Sequence, residues 1–354
     1  ETRKPLNLLW IFVVFFLGLM SKEVAFTFLF VIPFSLWFFK IGKQKDLINT
    51  FLPAVFAGAL FVIIRVSVLG QLMGEESGQL MNNPFLEAES GEKYATIFYT
   101  LGLYLKLLVV PHPLTWDYYP YHIQLIEWAN WKAFLPFLIY AGLGVLAIIG
   151  LKKRKLYSWC IWYFIATLSI TSNLVINIGA FMSERFMFFP SVAFAVFVAF
   201  LIHKLLKIKN GKKIVFAIII VITALYSVKV VSRNTVWKNS FTLFQHDVKI
   251  SENSAKGNSS YGSELYSKAE TFKDTAKRDK MMREAIPYLK KASEIHPKYV
   301  EPLVRMANIR YVAFNDVKGM ADYYIKVLKI SPENTDAWGN LHGVLTQNVD
   351  KPEC

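Results

Sequence analysis

The chain has 354 residues, of which 54% are hydrophobic and 16% aromatic, a composition that excludes an ordinary soluble protein and indicates a membrane protein. Its net charge of +14 would favour nucleic-acid binding in a soluble chain, but many of the cations lie in short loops between apolar segments, where they set membrane orientation. The two cysteines, Cys160 and Cys354, have no spacing that indicates a disulfide framework or a metal site. Because the first residue is Glu1 and not Met, we expect that the chain lacks an upstream part.

Eight apolar runs occupy the first two thirds of the chain. They cover residues 6–20, 24–39, 47–70, 94–111, 133–151, 157–179, 185–206 and 212–231. A helix needs about 20 residues to cross the hydrocarbon core, and most of the runs approach this length. We therefore predict a multispan helical membrane domain over residues 1–232, a linker helix over 233–250 and a separate aqueous domain over 251–354.

The loops between the runs indicate the orientation, because Lys and Arg accumulate on the cytoplasmic side of a membrane. Basic clusters occur at 40–45, 152–155 and 204–213, and the opposite loops include the acidic segment 71–93. If all eight runs crossed the membrane, the later basic loops would face the wrong side. A consistent solution has seven spans, with 94–111 re-entrant or lying along the outer surface. Lys106 supports this solution, because an ionisable group at the bilayer centre is costly.

The last hundred residues are polar and contain an internal repeat. Pro297 and Pro332 end two similar segments 35 residues apart. The residues in equivalent register are Tyr288/Tyr323, Leu289/Tyr324, Ala292/Val327 and Ile295/Ile330. A period near 34 with a proline after the second helix is typical of tetratricopeptide repeats. We predict two clear repeats between an earlier one from Ser254, interrupted at about 270–281, and a truncated one from Asn334. Such a solenoid has a concave peptide-binding groove.

Two charged triplets interrupt the apolar sequence, Ser21-Lys22-Glu23 and Ser183-Glu184-Arg185. We interpret them as parts of one site on the outer face. The guanidinium of Arg185 has a fixed fork of donors that suits a phosphate, and Lys22 could add a second charge. Two alternatives stay open: Arg185 anchors lipid headgroups or neutralises Glu184, and the first triplet is only a polar hairpin tip.

Three further residues are weaker candidates. Arg65 lies five residues before Gly70 near the outer end of its run, where snorkelling explains it about as well as ligand binding does. Trp116 and Asp117 lie in an aromatic segment typical of an interfacial belt, although aromatic faces beside a carboxylate also hold sugar rings. The six histidines lack ligand spacing, so we predict no metal site. No nucleotide-binding or Ser-His-Asp motif is evident. The sequence shows no required cofactor, and whether a divalent metal takes part stays open.

The order of motifs along the chain resembles that of the transmembrane and tetratricopeptide repeat family of protein O-mannosyltransferases. The resemblance rests on Ser21-Lys22-Glu23, Arg65 to Gly70, Asn83-Pro84, Leu103-Tyr104, Leu107-Leu108, Pro111, Trp116-Asp117, Ser183-Glu184-Arg185, Pro190-Ser191, Arg233-Asn234, Trp237 and Leu243-Phe244. No single motif is specific. The resemblance rests on their order over about residues 21–345 and on the transition from the membrane part to the repeats. The Lys-, Ile- and Phe-rich usage indicates a bacterial relative.

The resemblance implies an all-α protein with a GT-C type membrane domain followed by a tetratricopeptide-repeat solenoid. It implies a glycosyltransferase that moves a sugar from a polyprenyl-phosphate donor to a protein hydroxyl at the non-cytoplasmic face. The family's acidic catalytic residue lies in the first external loop, which we expect upstream of residue 1, so this fragment alone is expected to be inactive.

The resemblance also implies roles for the candidate residues. Arg185, Lys22 and Arg65 would bind the donor phosphate. The residues that would support these cations or the sugar are Glu184, Glu23, Asp117 and Trp116. Arg233, Asn234 and Trp237 would dock the repeats on the membrane.

The expected partners are a polyprenyl-phosphate-linked sugar, a protein or peptide acceptor in the repeat groove, and membrane lipids, but not nucleic acid. We expect a bacterial inner-membrane protein with its repeats on the periplasmic side. Two other functions stay open: a non-catalytic membrane scaffold for envelope assembly, and a lipid-linked polysaccharide polymerase or ligase.

Overall fold

A computed structural model of the protein describes residues 5–70, 80–119 and 121–347, apart from the side chains of Gln44 and Asp46. Glu75 and Glu76 of the acidic loop and Cys354 lie outside the described residues. Within these ranges the chain is helical and contains no strand, which confirms the all-α prediction.

Fourteen α-helices and two short 3₁₀ helices make up the described chain. The α-helices are α1 (Pro5–Ser21), α2 (Phe28–Phe38), α3 (Gln44–Leu69), α4 (Ser90–Val109), α5 (Trp131–Lys152), α6 (Leu156–Ser169), α7 (Pro190–Leu205), α8 (Gly211–Val236), α9 (Ser240–Asp247), α10 (Ala255–Glu270), α11 (Thr275–Ile295), α12 (Val300–Phe314), α13 (Val317–Ile330) and α14 (Thr335–Gln347). The first 3₁₀ helix is Glu23–Thr27 and the second is Glu184–Met187.

Seven apolar helices coincide with seven of the eight apolar runs. Among the described residues, three helices are long and apolar enough to cross a membrane, Leu47–Leu69, Trp131–Lys152 and Gly211–Val236. The four shorter ones are Pro5–Ser21, Glu23–Phe38, Leu156–Ser169 and Pro190–Leu205. The remaining apolar run, 94–111, forms α4, which is in neither group. Seven spans with an interfacial or re-entrant α4 stays a prediction.

The chain divides into two compact units. The first comprises Glu1–His112 and Leu125–Val221, and the second comprises Pro113–Gln124 and Ile222–Cys354. In the first unit α1 and α2 pack on α3, and α4 to α7 pack in sequence. A Cβ at Gly102 of α4 would collide with the Pro136 ring of α5, so glycine permits the close approach of these two helices.

The apolar run 157–179 is not one continuous helix, because α6 ends at Ser169. Asn173 has a φ of 62° and is buried. Its Nδ2 donates to the carbonyls of Ala180 (2.8 Å) and Phe181 (3.1 Å), and its Oδ1 accepts from the Ile178 N–H (3.0 Å). One side chain therefore satisfies three backbone groups of a loop, which replaces the last turns of the expected span.

In the second unit, each helix from α10 to α14 packs on the next one along the chain, as expected of a tetratricopeptide-like region. Leu289 and Ala292 of α11 are buried, and so are their equivalents Tyr324 and Val327 of α13. The insertion predicted near 270–281 lengthens α11, which has 21 residues against 14 in α13.

The linker region 233–250 contains a break between two helices. Helix α8 ends at Val236, and α9 begins after Asn239, whose side chain accepts from the Thr242 N–H at 2.9 Å. This amide supplies an N-cap, so the local sequence itself starts a new helix instead of extending α8.

Candidate functional site

The first charged triplet stops α1 and restarts the chain as a 3₁₀ helix. Lys22 is extended, with φ −161° and ψ 133°, and its N–H donates to the Gly18 carbonyl at 3.0 Å. Glu23 then occupies the first position of the 3₁₀ helix, where its carboxylate meets the positive end of the backbone dipoles. Both side chains are exposed. The triplet therefore presents its charges at the junction of two apolar helices.

Arg65 of α3 reaches the same junction. Its Nη1 lies 2.7 Å from Oε1 of Glu23, and the side chains are 26% and 56% exposed, respectively. The sequence made both residues candidates but did not indicate that they pair. The ion pair with Glu23 fixes the orientation of the Arg65 guanidinium, which snorkelling alone would not do.

The second triplet repeats the local geometry of the first. Ser183 is extended, with φ −155° and ψ 139°, and Glu184 begins the second 3₁₀ helix. The Ser183 N–H donates to Oη of buried Tyr104 at 3.0 Å. Arg185 is exposed, with its guanidinium 5.4 Å from the Phe186 ring centroid. An extended residue followed by a glutamate therefore introduces each 3₁₀ helix.

The two triplets belong to segments that are in contact. Phe28, directly after the first 3₁₀ helix, packs edge to face on Phe189, two residues after the second, with 5.3 Å between ring centroids. Phe28 also meets Tyr163 of α6 at 6.5 Å. This aromatic contact joins the two segments near their charged turns. Binding of one phosphate by Arg185, Lys22 and Arg65 stays a prediction.

An amide cluster supports the loop before the second triplet. Oδ1 of buried Asn83 accepts from Asn177 Nδ2 at 2.8 Å and from the Phe85 N–H at 3.3 Å. Gly179 has a φ of 70°, and a Cβ there would lie 2.8 Å from the Asn82 carbonyl oxygen. Asn83 belongs to the family motifs, but the sequence did not indicate the role of Asn177 or Gly179. The sequence signal that could have drawn attention to this loop is a glycine two residues after an asparagine, because glycine adopts a positive φ without steric cost.

In the second unit, Asp117 is a buried carboxylate, 2% exposed. Ser254 Oγ donates to Oδ2 of Asp117, and the Tyr119 N–H donates to Oδ1 at 3.1 Å. Burial raises the pKa of Asp117, although these hydrogen bonds and the Lys256 ammonium oppose the rise. The carboxylate therefore fastens segment 113–124 to the start of α10. Support of a bound sugar by Asp117 stays a prediction.

Trp116 takes part in the same attachment. Its backbone N–H donates to Oδ2 of Asp247 at 2.8 Å. The centroid of its ring lies 4.7 Å from that of the Phe244 ring and 5.7 Å from the Lys256 ammonium. These contacts account for the inclusion of segment 113–124 in the second unit. A role for Trp116 in holding a sugar stays a prediction.

Arg233 joins α8 to α9 through Asp247. Its Nη1 donates to Oδ1 of the carboxylate at 2.6 Å and its Nη2 donates to Oδ2 at 2.8 Å, so the pair is bidentate. The arginine side chain is 11% exposed and the aspartate side chain 0%. Burial by itself would raise the pKa of Asp247, but hydrogen bonds from Arg233, His246 and the Trp116 N–H outweigh it and hold the pKa below its usual range.

The other two expected docking residues are on the surface. Trp237 is 58% exposed, and the Arg233 guanidinium lies 5.6 Å from its ring centroid. The Asn234 carbonyl accepts from the Trp237 N–H at 3.2 Å, and the Asn234 side chain is exposed. Attachment of the repeats to the membrane by Arg233, Asn234 and Trp237 stays a prediction.

Residues 5–70, 80–119 and 121–347 contain no group of three His, Cys, Asp or Glu side chains that could hold a metal ion.

Helices capable of spanning a membrane, followed by tetratricopeptide-like pairs, define a membrane protein with a helical repeat region. Comparison with known proteins narrows this class. Human protein O-mannosyl-transferase TMTC3 is 22% identical over 284 residues, 79% of this chain and 30% of the relative. The mouse TMTC3 protein is 26% identical over 250 residues, 67% of this chain and 25% of the relative. The mouse TMTC1 protein is 24% identical over 264 residues, 71% of this chain and 26% of the relative.

The resemblance to the transmembrane and tetratricopeptide repeat family of protein O-mannosyltransferases is therefore confirmed, at low identity but across much of the chain. The chain spans less than a third of the length of these relatives. No family model matches the chain, and no solved structure matches it. The bacterial origin stays a prediction.

Proposed function

We propose that this chain forms part of a membrane glycosyltransferase that moves a sugar from a polyprenyl-phosphate donor to a protein hydroxyl at the non-cytoplasmic face. The relatives are named protein O-mannosyl-transferases, which supports sugar transfer to protein and makes mannose the first sugar to test. The expected location is a bacterial inner membrane, with the repeat region on the periplasmic side.

The observation that carries this proposal is the pair of charged triplets at neighbouring helix junctions. Lys22 and Arg185 are exposed, and Arg65 is held at the first junction by Glu23. The first triplet ends α1, and the second leads through a short 3₁₀ helix into α7. A lipid phosphate would meet a membrane protein near such ends of apolar helices. The contact between Phe28 and Phe189 keeps the two segments together.

The reaction breaks the bond between the anomeric carbon and the donor phosphate oxygen. The acceptor hydroxyl oxygen forms the new bond to that carbon, with inversion, and the electron pair of the broken bond stays on the phosphate. Arg185, Lys22 and Arg65 would stabilise the charge that grows on this leaving group. A general base takes the hydroxyl proton. We assign no residue of this chain to that step.

The repeat region would present the acceptor. Its helical pairs are of the type that stacks into a concave peptide-binding surface. Segment 113–124 belongs to the same unit, fastened by Asp117 and Trp116.

The test is sugar transfer by membranes that contain the full-length protein, with polyprenyl-phosphate mannose as donor and envelope proteins as acceptors. Replacing Arg185 by Ala should lower the transfer rate by about 10²-fold, the usual cost of removing one donor that stabilises a developing anion. Lys153→Ala is the matched control, because Lys153 is an exposed cation of the predicted cytoplasmic loop.

Unchanged transfer in Arg185→Ala would remove this residue from the phosphate site. No transfer by the wild type, with the repeats still capturing an envelope protein, would favour the scaffold. Transfer only to lipid-linked polysaccharide would favour the polymerase or ligase.

A further inference from the structure

The turns that end α2 and α5 have the same backbone geometry. The N–H groups of Ile41 and Lys155 each donate to the carbonyl five residues before them, at 2.9 and 3.0 Å respectively. The preceding residues, Lys40 and Arg154, have φ values of 54° and 47°. Glycine usually takes this left-handed position after a helix, so each turn holds a basic residue there against the local backbone preference.

The side chain of Arg154 joins the two turns. Its Nη1 donates to the Trp37 carbonyl at 3.0 Å and to the Phe38 carbonyl at 3.3 Å, and its guanidinium lies 4.9 Å from the Trp37 ring centroid. Arg154 and Trp37 are 117 residues apart in sequence. Loops 40–45 and 152–155 therefore form one surface of the first unit, which we call the basic surface.

The basic surface concentrates positive charge. Its two loops contain seven basic residues and no acid, and with the adjacent Asp46 the net formal charge is +6. The residues are Lys40, Lys43, Lys45, Lys152, Lys153, Arg154 and Lys155. The dipoles of α2 and α5 favour a cation at each helix end, and Arg154 also satisfies two carbonyls of α2. The six lysines are exposed, and their combined field attracts an anion.

Apolar side chains beside these cations indicate which anion fits. Trp37, Phe39 and Ile41 are 43%, 45% and 56% exposed, respectively. Tryptophan favours the level at which lipid headgroups meet hydrocarbon. A free phosphate or a nucleic acid would use the cations alone, whereas a phospholipid offers an anionic headgroup and hydrocarbon chains together.

We infer that the basic surface binds the headgroup phosphate of an anionic phospholipid, with the acyl chains along Trp37, Phe39 and Ile41. Clusters of four to eight basic residues beside a membrane helix are typical of such recognition. The basic surface follows the C-terminal end of α2, whereas the first charged triplet and its 3₁₀ helix precede the N-terminal end. The inference therefore does not depend on the proposed sugar transfer.

Titration of phosphatidylglycerol into the purified full-length protein in detergent, followed by native mass spectrometry, tests this inference. We expect a lower Kd than for phosphatidylcholine with the same acyl chains, and no competition by inorganic phosphate at equal concentration. Replacing Lys40, Lys152 and Lys155 together by Gln should weaken phosphatidylglycerol binding by about 10²-fold, because each basic residue near an anionic headgroup contributes about a factor of five. Phosphatidylcholine binding should not change.

The matched control is the joint replacement of Lys207, Lys209 and Lys212 by Gln. It removes the same charge from exposed positions of another basic loop in the first unit, and the affinity for phosphatidylglycerol should be kept. Equal weakening in the two triple variants would show general attraction to a basic protein and would overturn the inference. Equal Kd values for the two lipids, or full competition by inorganic phosphate or a short DNA duplex, would also overturn it.

Ile41→Ser tests the apolar part of the site independently, because it keeps every cation. It should weaken phosphatidylglycerol binding through lost hydrocarbon contact. Thermal unfolding in detergent shows that each variant is folded. Unchanged phosphatidylglycerol affinity in a folded Ile41→Ser protein would contradict a lipid occupant.

Discussion

Nη1 of Arg65 donates to Oε1 of Glu23 at 2.7 Å, across 42 residues of sequence. The pair ties the C-terminal part of α3 to the turn that ends α1. A guanidinium fixed in this way loses less conformational entropy when it meets an anion, which is a condition for a preorganised phosphate site. The same carboxylate lowers the net positive charge of the turn. Glu23 therefore orients the Arg65 guanidinium but weakens the attraction of the turn for an anion.

A double-mutant cycle on Glu23 and Arg65 should give a modest coupling. Both groups are partly exposed, and such pairs contribute about 0.2–1 kcal/mol. The cycle compares Glu23→Ala, Arg65→Ala and the double variant by denaturant unfolding in detergent micelles. A coupling above about 3 kcal/mol would indicate a fully desolvated pair and contradict the observed exposure.

Arg233→Ala should destabilise the second unit strongly. The change leaves the Asp247 carboxylate, which is 0% exposed, without its bidentate partner, and breaking a buried pair in this way costs about 3–5 kcal/mol. Arg233→Lys should recover only part of the loss, since an ammonium cannot reproduce the two parallel hydrogen bonds. Chemical unfolding measures the effect.

Lys238→Ala is the control, because it removes an exposed cation two residues beyond the end of α8. Its effect on the free energy of unfolding should be below about 0.5 kcal/mol. If Arg233→Ala were equally mild, the bidentate pair would have no structural importance.

The two buried aspartates should give opposite dependences of stability on pH. The pKa of Asp247 is lowered in the folded state, so its contribution is present above the ordinary value of 3.8 and is lost as pH falls through the folded pKa. The pKa of Asp117 is raised, so the folded state binds the proton more tightly. Its contribution therefore declines as pH rises from 3.8 through the folded pKa.

Amide substitutions separate these two effects. Asp117→Asn should remove the decline in stability above pH 3.8, while Asp247→Asn should remove the loss at lower pH. Unfolding free energies of the wild type and each variant between about pH 3 and 7 provide the measurement. An identical pH profile for Asp117→Asn and the wild type would show that Asp117 does not titrate differently in the folded state.

Local patterns in the sequence predict much of the fold. Leu289 and Tyr324 occupy equivalent positions in the two repeats, and both are buried. Apolar residues that recur with a period of 3.6 show which face of a helix is buried, even when the partner helix is unknown. The charged triplets are equally visible, because three polar residues between apolar runs stand out. Both features depend on neighbours in the sequence.

The sequence could not predict the contacts that join distant segments. Asp117 and Ser254 are 137 residues apart, and nothing near Asp117 shows that a serine hydroxyl will cover it. An aromatic segment with one acid has the same local pattern in an interfacial belt, a sugar site and a buried attachment. The end of α6 was missed for a similar reason, since Asn173 competes with the helix through carbonyls seven and eight residues further on.

Gly179→Ala should disturb the loop that leads to the second triplet. The residue has a φ of 70°, a region that costs an L-residue about 1–2 kcal/mol, and its new Cβ would lie 2.8 Å from the Asn82 carbonyl oxygen. We expect destabilisation beyond the conformational cost alone, together with reduced sugar transfer, because Arg185 follows six residues later.

Gly142→Ala is the matched control for this change. Gly142 lies in α5, and a Cβ there meets nothing within 4 Å, so alanine should be neutral or stabilise the helix by up to about 1 kcal/mol. Thermal unfolding and the transfer assay on both variants give the comparison. If Gly179→Ala kept full stability and transfer, the loop would tolerate a different backbone, and the amide cluster around Asn83 could not be what orders the second triplet.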